Sequence, residues 1–132
     1  MKNYGKEEMV VADPERIEWE IVERALGRLA GWREAVARAP EVVKKAWLEV
    51  LSYDEETGAM AALGKLDRGV HESKHTHPSD CGFMILEGKL VDEKGNEIKK
   101  GMYVRVPAGV KEGPYDAPEG CILFVHSNGP LW

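Results

Sequence analysis

The stretch GVHESKHTHPSDCGFMILEG, residues 69–88, and its partner GMYVRVPAGVKE, residues 101–112, decide the fold. Three of the four histidines, His71, His75 and His77, fall in the first; His126 lies far downstream. His75 and His77 form an H-x-H pair. On a strand, alternate side chains face the same side and stand roughly 7 Å apart along the chain. Two imidazoles so placed reach one ion at about 2.0–2.2 Å from each nitrogen. The pair alone is also what a solvated strand shows by chance, so its surroundings carry the reading.

Those surroundings are the punctuation of a β protein. Turn signals stand at Asp67-Arg68-Gly69, Pro78-Ser79-Asp80, Lys94-Gly95-Asn96, Lys100-Gly101, Pro107-Ala108-Gly109 and Pro118-Glu119-Gly120. Strands are predicted between them at residues 72–77, 82–86, 89–92, 102–106 and 121–127. Upstream, residues 46–53 and 59–65 read as a hairpin around Glu55-Glu56-Thr57-Gly58. Many short strands with regular turns indicate a sandwich or a barrel. Before residue 40 the pattern changes. Asp13-Pro14 reads as a helix cap with proline in the first turn. Ile17, Ile21, Ala25, Leu29, Trp32 and Val36 follow at helical spacing. Gly27 and Gly31 interrupt that helix, and the alternation of Ile17, Trp19 and Ile21 also admits a short strand. The expected organisation is a helical segment at residues 1–40, packed on a barrel at residues 41–132.

At 132 residues the chain is the size of one domain, and its hydrophobic fraction of 43% is ordinary for a globular protein. The formal net charge of −5, with basic residues scattered, argues against nucleic acid or an anionic membrane as partner. The N-terminal MKNYGKEEMVV lacks the apolar stretch of a signal peptide, and no apolar run is long enough to cross a bilayer. A cytoplasmic protein is expected, in which Cys81 and Cys121 are free thiols.

The spacing Gly69, His75, His77, Cys81, Gly88 resembles the first motif of the cupins, and Gly101, Pro107, Gly109, Glu112 resembles the second. Where Cys81 stands the family usually has glutamate; where Glu112 stands it usually has histidine. Residues 53–58, His75 to Pro78, Leu86-Glu87-Gly88, residues 101–104 and Glu119-Gly120-Cys121 are similar to a narrower group. That group holds acetylacetone-cleaving (β-diketone) dioxygenases and the cupin domain of zinc-binding anti-sigma factors. The resemblance implies a mainly β, single-domain cupin, a jelly-roll barrel or double-stranded β-helix, binding one divalent metal ion. Its ligands would be His75, His77 and Glu112. Two histidines and a carboxylate with open positions suit Fe(II) and O₂ chemistry. Cys81 either adds a thiolate and closes a tetrahedral Zn(II) site, or fills the site wall as a small buried thiol. His71, Tyr103, Arg105, His126, Phe83 and Ile85 are candidates for the surroundings of the ion or for substrate contact. The enzyme reading is a dioxygenase-like oxidoreductase acting on a small oxygen-bearing molecule; the alternative is a non-catalytic zinc-binding sensor or binding module. A homodimer is expected, with apolar surface offered by the Trp-containing N-terminal segment and by Gly129-Pro130-Leu131-Trp132.

Overall fold

The computed structural model describes residues 9–132. Asp13 accepts a hydrogen bond from the Glu15 N–H at 2.9 Å and caps a single 3-10 turn, Pro14–Arg16. The helical periodicity that follows is only partly realised. The alternating residues after the turn lead into a short strand, β1 (Glu20–Ile21), which pairs with Leu48 and Trp47. Helix α1 (Val22–Gly27) stops at its glycine, and α2 (Arg33–Ala37) and α3 (Glu41–Lys44) are equally short. Val22, Leu26, Trp32 and Val36 bury their side chains, so burial rather than helix length holds this segment in place.

The rest is antiparallel β-structure. Strands β2 (Trp47–Tyr53) and β3 (Met60–Leu66) form the expected hairpin. They are followed by β4 (Val70–Glu72), β5 (Cys81–Asp92), β6 (Glu97–Lys99), β7 (Tyr103–Val106), β8 (Tyr115–Ala117) and β9 (Cys121–Ser127). The strand order is β1-β2-β3-β9-β5-β8-β4, with β6 and β7 also on β5. The sheet curls into a cupin half-barrel, mainly β, with one small domain.

Two readings of the strands change. The two runs predicted at 82–86 and 89–92 are one strand, β5, because a register shift between Ile85 and Glu87 opposite β9 absorbs Leu86 without breaking the ladder. Gly88, inside that strand, has φ +71°, and a Cβ there would sit 2.2 Å from the Gly120 carbonyl oxygen. Only glycine lets β5 and the turn before β9 approach so closely. The strand predicted at 72–77 ends at Glu72. Beyond it, among the described residues, the one β-bridge is an isolated antiparallel pairing of His75 with Glu112. Pro78, with no N–H to give, does not extend the ladder.

The core is double. One cluster joins the helical segment to the inner face of the sheet: Leu26, Trp32, Val36, Leu48, Val50, Ala62, Cys81, Val106 and Leu131 among others. Trp32 is wholly buried, donates from Nε1 to the Gly58 carbonyl at 2.7 Å and meets the Trp132 ring edge-on at 6.0 Å. Two side chains of the segments expected at an interface are thereby placed inside. Trp32 and Leu131 are core residues of this chain and offer no face to another. The second cluster comprises Phe83, Ile85, Leu90, Tyr115, Ala117 and Cys121. No helix of the described residues is long and apolar enough to cross a membrane.

Candidate metal centre

The bridge between His75 and Glu112 builds the site. The His75 N–H donates to the Glu112 carbonyl at 3.0 Å, and the Glu112 N–H returns a bond to the His75 carbonyl at 2.9 Å. A further bond, Gly109 N–H to the His77 carbonyl at 2.9 Å, fastens the same two segments. The two sequence motifs are thus tied backbone to backbone, and their side chains face each other. The His75 and His77 rings stand edge to face at 4.7 Å. His77 Nε2 is 3.1 Å from Glu112 Oε2, and His75 Nε2 is 3.8 Å from Glu112 Oε1. One ligand atom from each of the three residues lies within 4.8 Å of the others. Their side chains are only 13%, 9% and 8% exposed, in the order His75, His77, Glu112.

The hydrogen-bond chemistry fits a cation between them. His75 Nδ1 is 2.5 Å from the Ser73 carbonyl, and His77 Nδ1 is 3.0 Å from that of Leu131. A carbonyl only accepts, so both Nδ1 atoms carry the hydrogen, and in the neutral imidazoles the Nε2 lone pairs then face inward. Backbone carbonyls that fix the tautomer in this way are the usual outer support of metal-binding imidazoles. Glu112 brings only acceptors to meet those lone pairs. His75 Nε2 is fully buried and has no well-directed hydrogen bond among the described residues, although Glu72 Oε1 approaches it at 3.0 Å. A buried carboxylate facing two lone pairs costs several kcal/mol, on the order of 3–5, unless a cation stands between. Without an ion, His75 supplies that cation. Burial works against its charged form, but the Glu72 carboxylate, the Ser73 carbonyl and the charges of Glu72 and Glu112 outweigh burial and hold it at about 9.

Glu112 acts on one residue of each apolar cluster. Burial first, and then the Glu112 charge, push the Tyr115 phenol far above its ordinary range, and Tyr115 donates a hydrogen bond to that carboxylate. The same two causes push the Cys81 thiol up to about 12. Cys81 is part of the first core cluster and outside the converging group of three.

The remaining candidates sort by strand parity. Phe83 and Ile85 point inward and are buried in the second cluster. Tyr103, Arg105 and His126 do not come to the site. Gly82 lies between two inward residues, so its missing side chain marks the outer face, where a Cβ would meet Tyr103 and His126. On that outer face the Tyr103 hydroxyl pairs with His126 Nε2 at 2.8 Å and the rings stack at 5.9 Å. Arg105, opposite Gly82, is exposed. His71 is likewise directed outward, exposed and paired with Asp116 at 2.6 Å. An unbroken strand would put His71 on the face of His75 and His77. The chain leaves the ladder after Glu72, and the inward residue of β4 is Glu72 instead, which the sequence motifs do not mark. Beside the site, an open cleft of about 660 Å³ is lined by Arg38, Thr76, His77, Gly109 and Trp132. Arg38 reaches across it to the Trp132 carbonyl at 3.0 Å.

Comparison with known proteins agrees with this architecture. Residues 35–131 match the family model described as the ChrR cupin-like domain. No curated protein matches. Among solved structures, an acetylacetone dioxygenase from Acinetobacter johnsonii superposes with a TM-score of 0.62 at 15% identity, covering 97% of this chain and 78% of that one. An RmlC-like cupin from Shewanella frigidimarina NCIMB 400 gives a TM-score of 0.55 at 23% identity, over 64% of this chain and 76% of that one. KdgF from a Halomonas species gives 0.52 at 18% identity, over 63% and 80%. At such identities the structural likeness speaks for the fold.

Proposed function

We propose, from the premise that this chain belongs to the ChrR cupin-like domain family, that it is a mononuclear metal enzyme. Its reaction is dioxygenase-like, on a small oxygen-bearing organic molecule, and it works in the cytoplasm. The observation that carries the reading is the convergence of two inward-facing Nε2 atoms on the buried Glu112 carboxylate. His75, His77 and Glu112 would hold a divalent ion, Fe(II) by preference. Bound there, it supplies Lewis acidity and, as iron, a one-electron partner for O₂.

The chain's own residues do the rest. The Ser73 and Leu131 carbonyls keep both imidazoles in the tautomer that offers Nε2. Tyr115 holds the Glu112 carboxylate through its hydroxyl. Phe83 and Ile85 provide an apolar wall that excludes water and strengthens electrostatic contacts at the centre. The cleft past His77 gives a small molecule its approach, and Arg38 on its rim attracts a carboxylate or enolate. The zinc-sensor reading needs Cys81 as a thiolate, and a thiol held at about 12 inside an apolar cluster supports it less well.

Elemental analysis of the purified protein, then anaerobic Fe(II) loading and O₂-uptake measurements with β-diketones, enols and thiols, test this. One ion per chain and turnover with one of these classes is the expected result. Tightly held zinc with no uptake across the panel would favour the sensor. Alanine at His75 or His77 should abolish metal content, and retention of wild-type content in both variants would defeat the ligand assignment.

A further inference from the structure

We propose that Glu72 is a fourth protein ligand of the same ion, a second carboxylate supplied by β4; this rests on the metal-site reading above. Two donors each about 2.1 Å from one ion, at right angles, stand about 3.0 Å apart. Glu72 Oε1 lies 3.0 Å from His75 Nε2, and the assigned pair His77 Nε2 and Glu112 Oε2 is separated by 3.1 Å. The Glu72–His75 contact is therefore spaced as neighbouring ligands are, while being poorly directed as a hydrogen bond.

Glu72 also faces the right way. It follows the outward-facing His71 on β4, is 20% exposed at its side chain, and is the last residue before the chain leaves the ladder. Its backbone is fixed opposite Tyr115, the residue that holds Glu112. The Tyr115 phenol and the Cys121 thiol, both buried in the second cluster, feel its negative charge after the larger effect of burial. Glu72 stands outside the 4.8 Å group formed by the other three, so ligation needs its terminal carboxylate to rotate toward the ion. Two imidazoles and two carboxylates balance the charge of a divalent ion and leave a six-coordinate ion two positions for other ligands. Such an all-nitrogen-and-oxygen set suits Fe(II) or Mn(II).

Cobalt(II)-loaded full-length protein tests the assignment. Wild type should take up one ion per chain. Glu72→Gln and Glu72→Ala should weaken cobalt binding by about a hundredfold or more in chelator competition. They should also alter the visible d–d band, because the carboxylate donor is lost in Glu72→Ala and replaced by a neutral, weaker amide oxygen in Glu72→Gln. Tyr115→Phe, which acts on Glu112 from behind, is the control: its affinity falls but its band keeps the wild-type shape. Circular dichroism of the metal-free variants checks folding, and the near-isosteric Glu72→Gln carries the test if Glu72→Ala does not fold. A wild-type cobalt band in the folded Glu72 variant overturns the proposal and leaves the three-ligand site standing. A wild-type protein that binds no cobalt overturns the metal-site reading itself.

Discussion

Gly88→Ala should be far more destabilising than Gly95→Ala, although both glycines have positive φ, +71° and +84°. The left-handed conformation alone costs a non-glycine residue about 1–2 kcal/mol. At Gly95 that is the whole effect, because a Cβ there meets nothing within 4 Å. At Gly88 the new carbon would lie 2.2 Å from the Gly120 carbonyl oxygen and 3.0 Å from Cys121 Cα. These are backbone atoms, so no rotamer relieves the overlap, and β5 must move away from the turn entering β9. Overpacking of this kind adds about 1–3 kcal/mol. The expected losses are about 3–4 kcal/mol for Gly88→Ala and about 1 kcal/mol for Gly95→Ala. With a urea slope of about 1.5 kcal/mol per molar, the midpoints fall by roughly 2–3 M and under 1 M respectively. Urea titration followed by the fluorescence of the four tryptophans reads both. Equal midpoint shifts would refute the close approach of β5 and the Gly120 turn, and with it the reason for a glycine at that motif position.

Other outcomes follow from the site and its surroundings. Glu112→Gln should lower metal affinity far more than Cys81→Ser, by about a hundredfold against less than tenfold in chelator competition; the reverse order would transfer the ligand role to sulfur. In the metal-free protein His75 has its pKa raised from 6.5 to about 9. Its contribution to stability is then complete below pH 6.5 and is lost as pH rises toward 9. Melting in chelator should fall between pH 6 and 8.5 in wild type and not in His75→Gln; identical slopes would remove His75 as the cause. Burial first pushes Cys81 up to about 12 and Cys121 up to about 11, so neither thiol should react with Ellman's reagent at pH 8 until the chain unfolds. A rapid native reaction would contradict the described packing. Light scattering is expected to show a homodimer at micromolar concentration, paired through the outer face that exposes Met84 and Tyr103; a monomer there refutes the pairing.

The β-rich architecture was legible because turn residues punctuate the chain and the strand at 121–127 has no competing signal. The hairpin of β2 and β3 was readable for the same reason. Parity was the weak point. It holds only while a strand continues, and the irregularity after Glu72 reversed which of His71 and Glu72 faces inward. Tyr103 and Arg105 could not be assigned a face until Gly82, paired with Arg105 and covered by the Tyr103 hydroxyl, fixed the outside of the sheet. Strand β8 was missed because Tyr115-Asp116-Ala117 lies between Gly113-Pro114 and Pro118, a composition that reads as loop. The helical segment was over-extended. Its periodicity is genuine, but α1 halts at Gly27 and β1 is captured by pairing with β2.

The reciprocal bonds between His75 and Glu112 involve only main-chain atoms. The spacing of the centre is therefore set before any side chain is chosen. Substituting a donor at position 75, 77 or 112 would change which ion is preferred without redrawing the frame of the proposed site. The site behaves as a socket with exchangeable pins. A lineage, or an engineer, can exchange histidine for glutamate at one pin and glutamate for cysteine at a neighbouring wall position one step at a time. Metal preference can then drift while the main-chain frame persists.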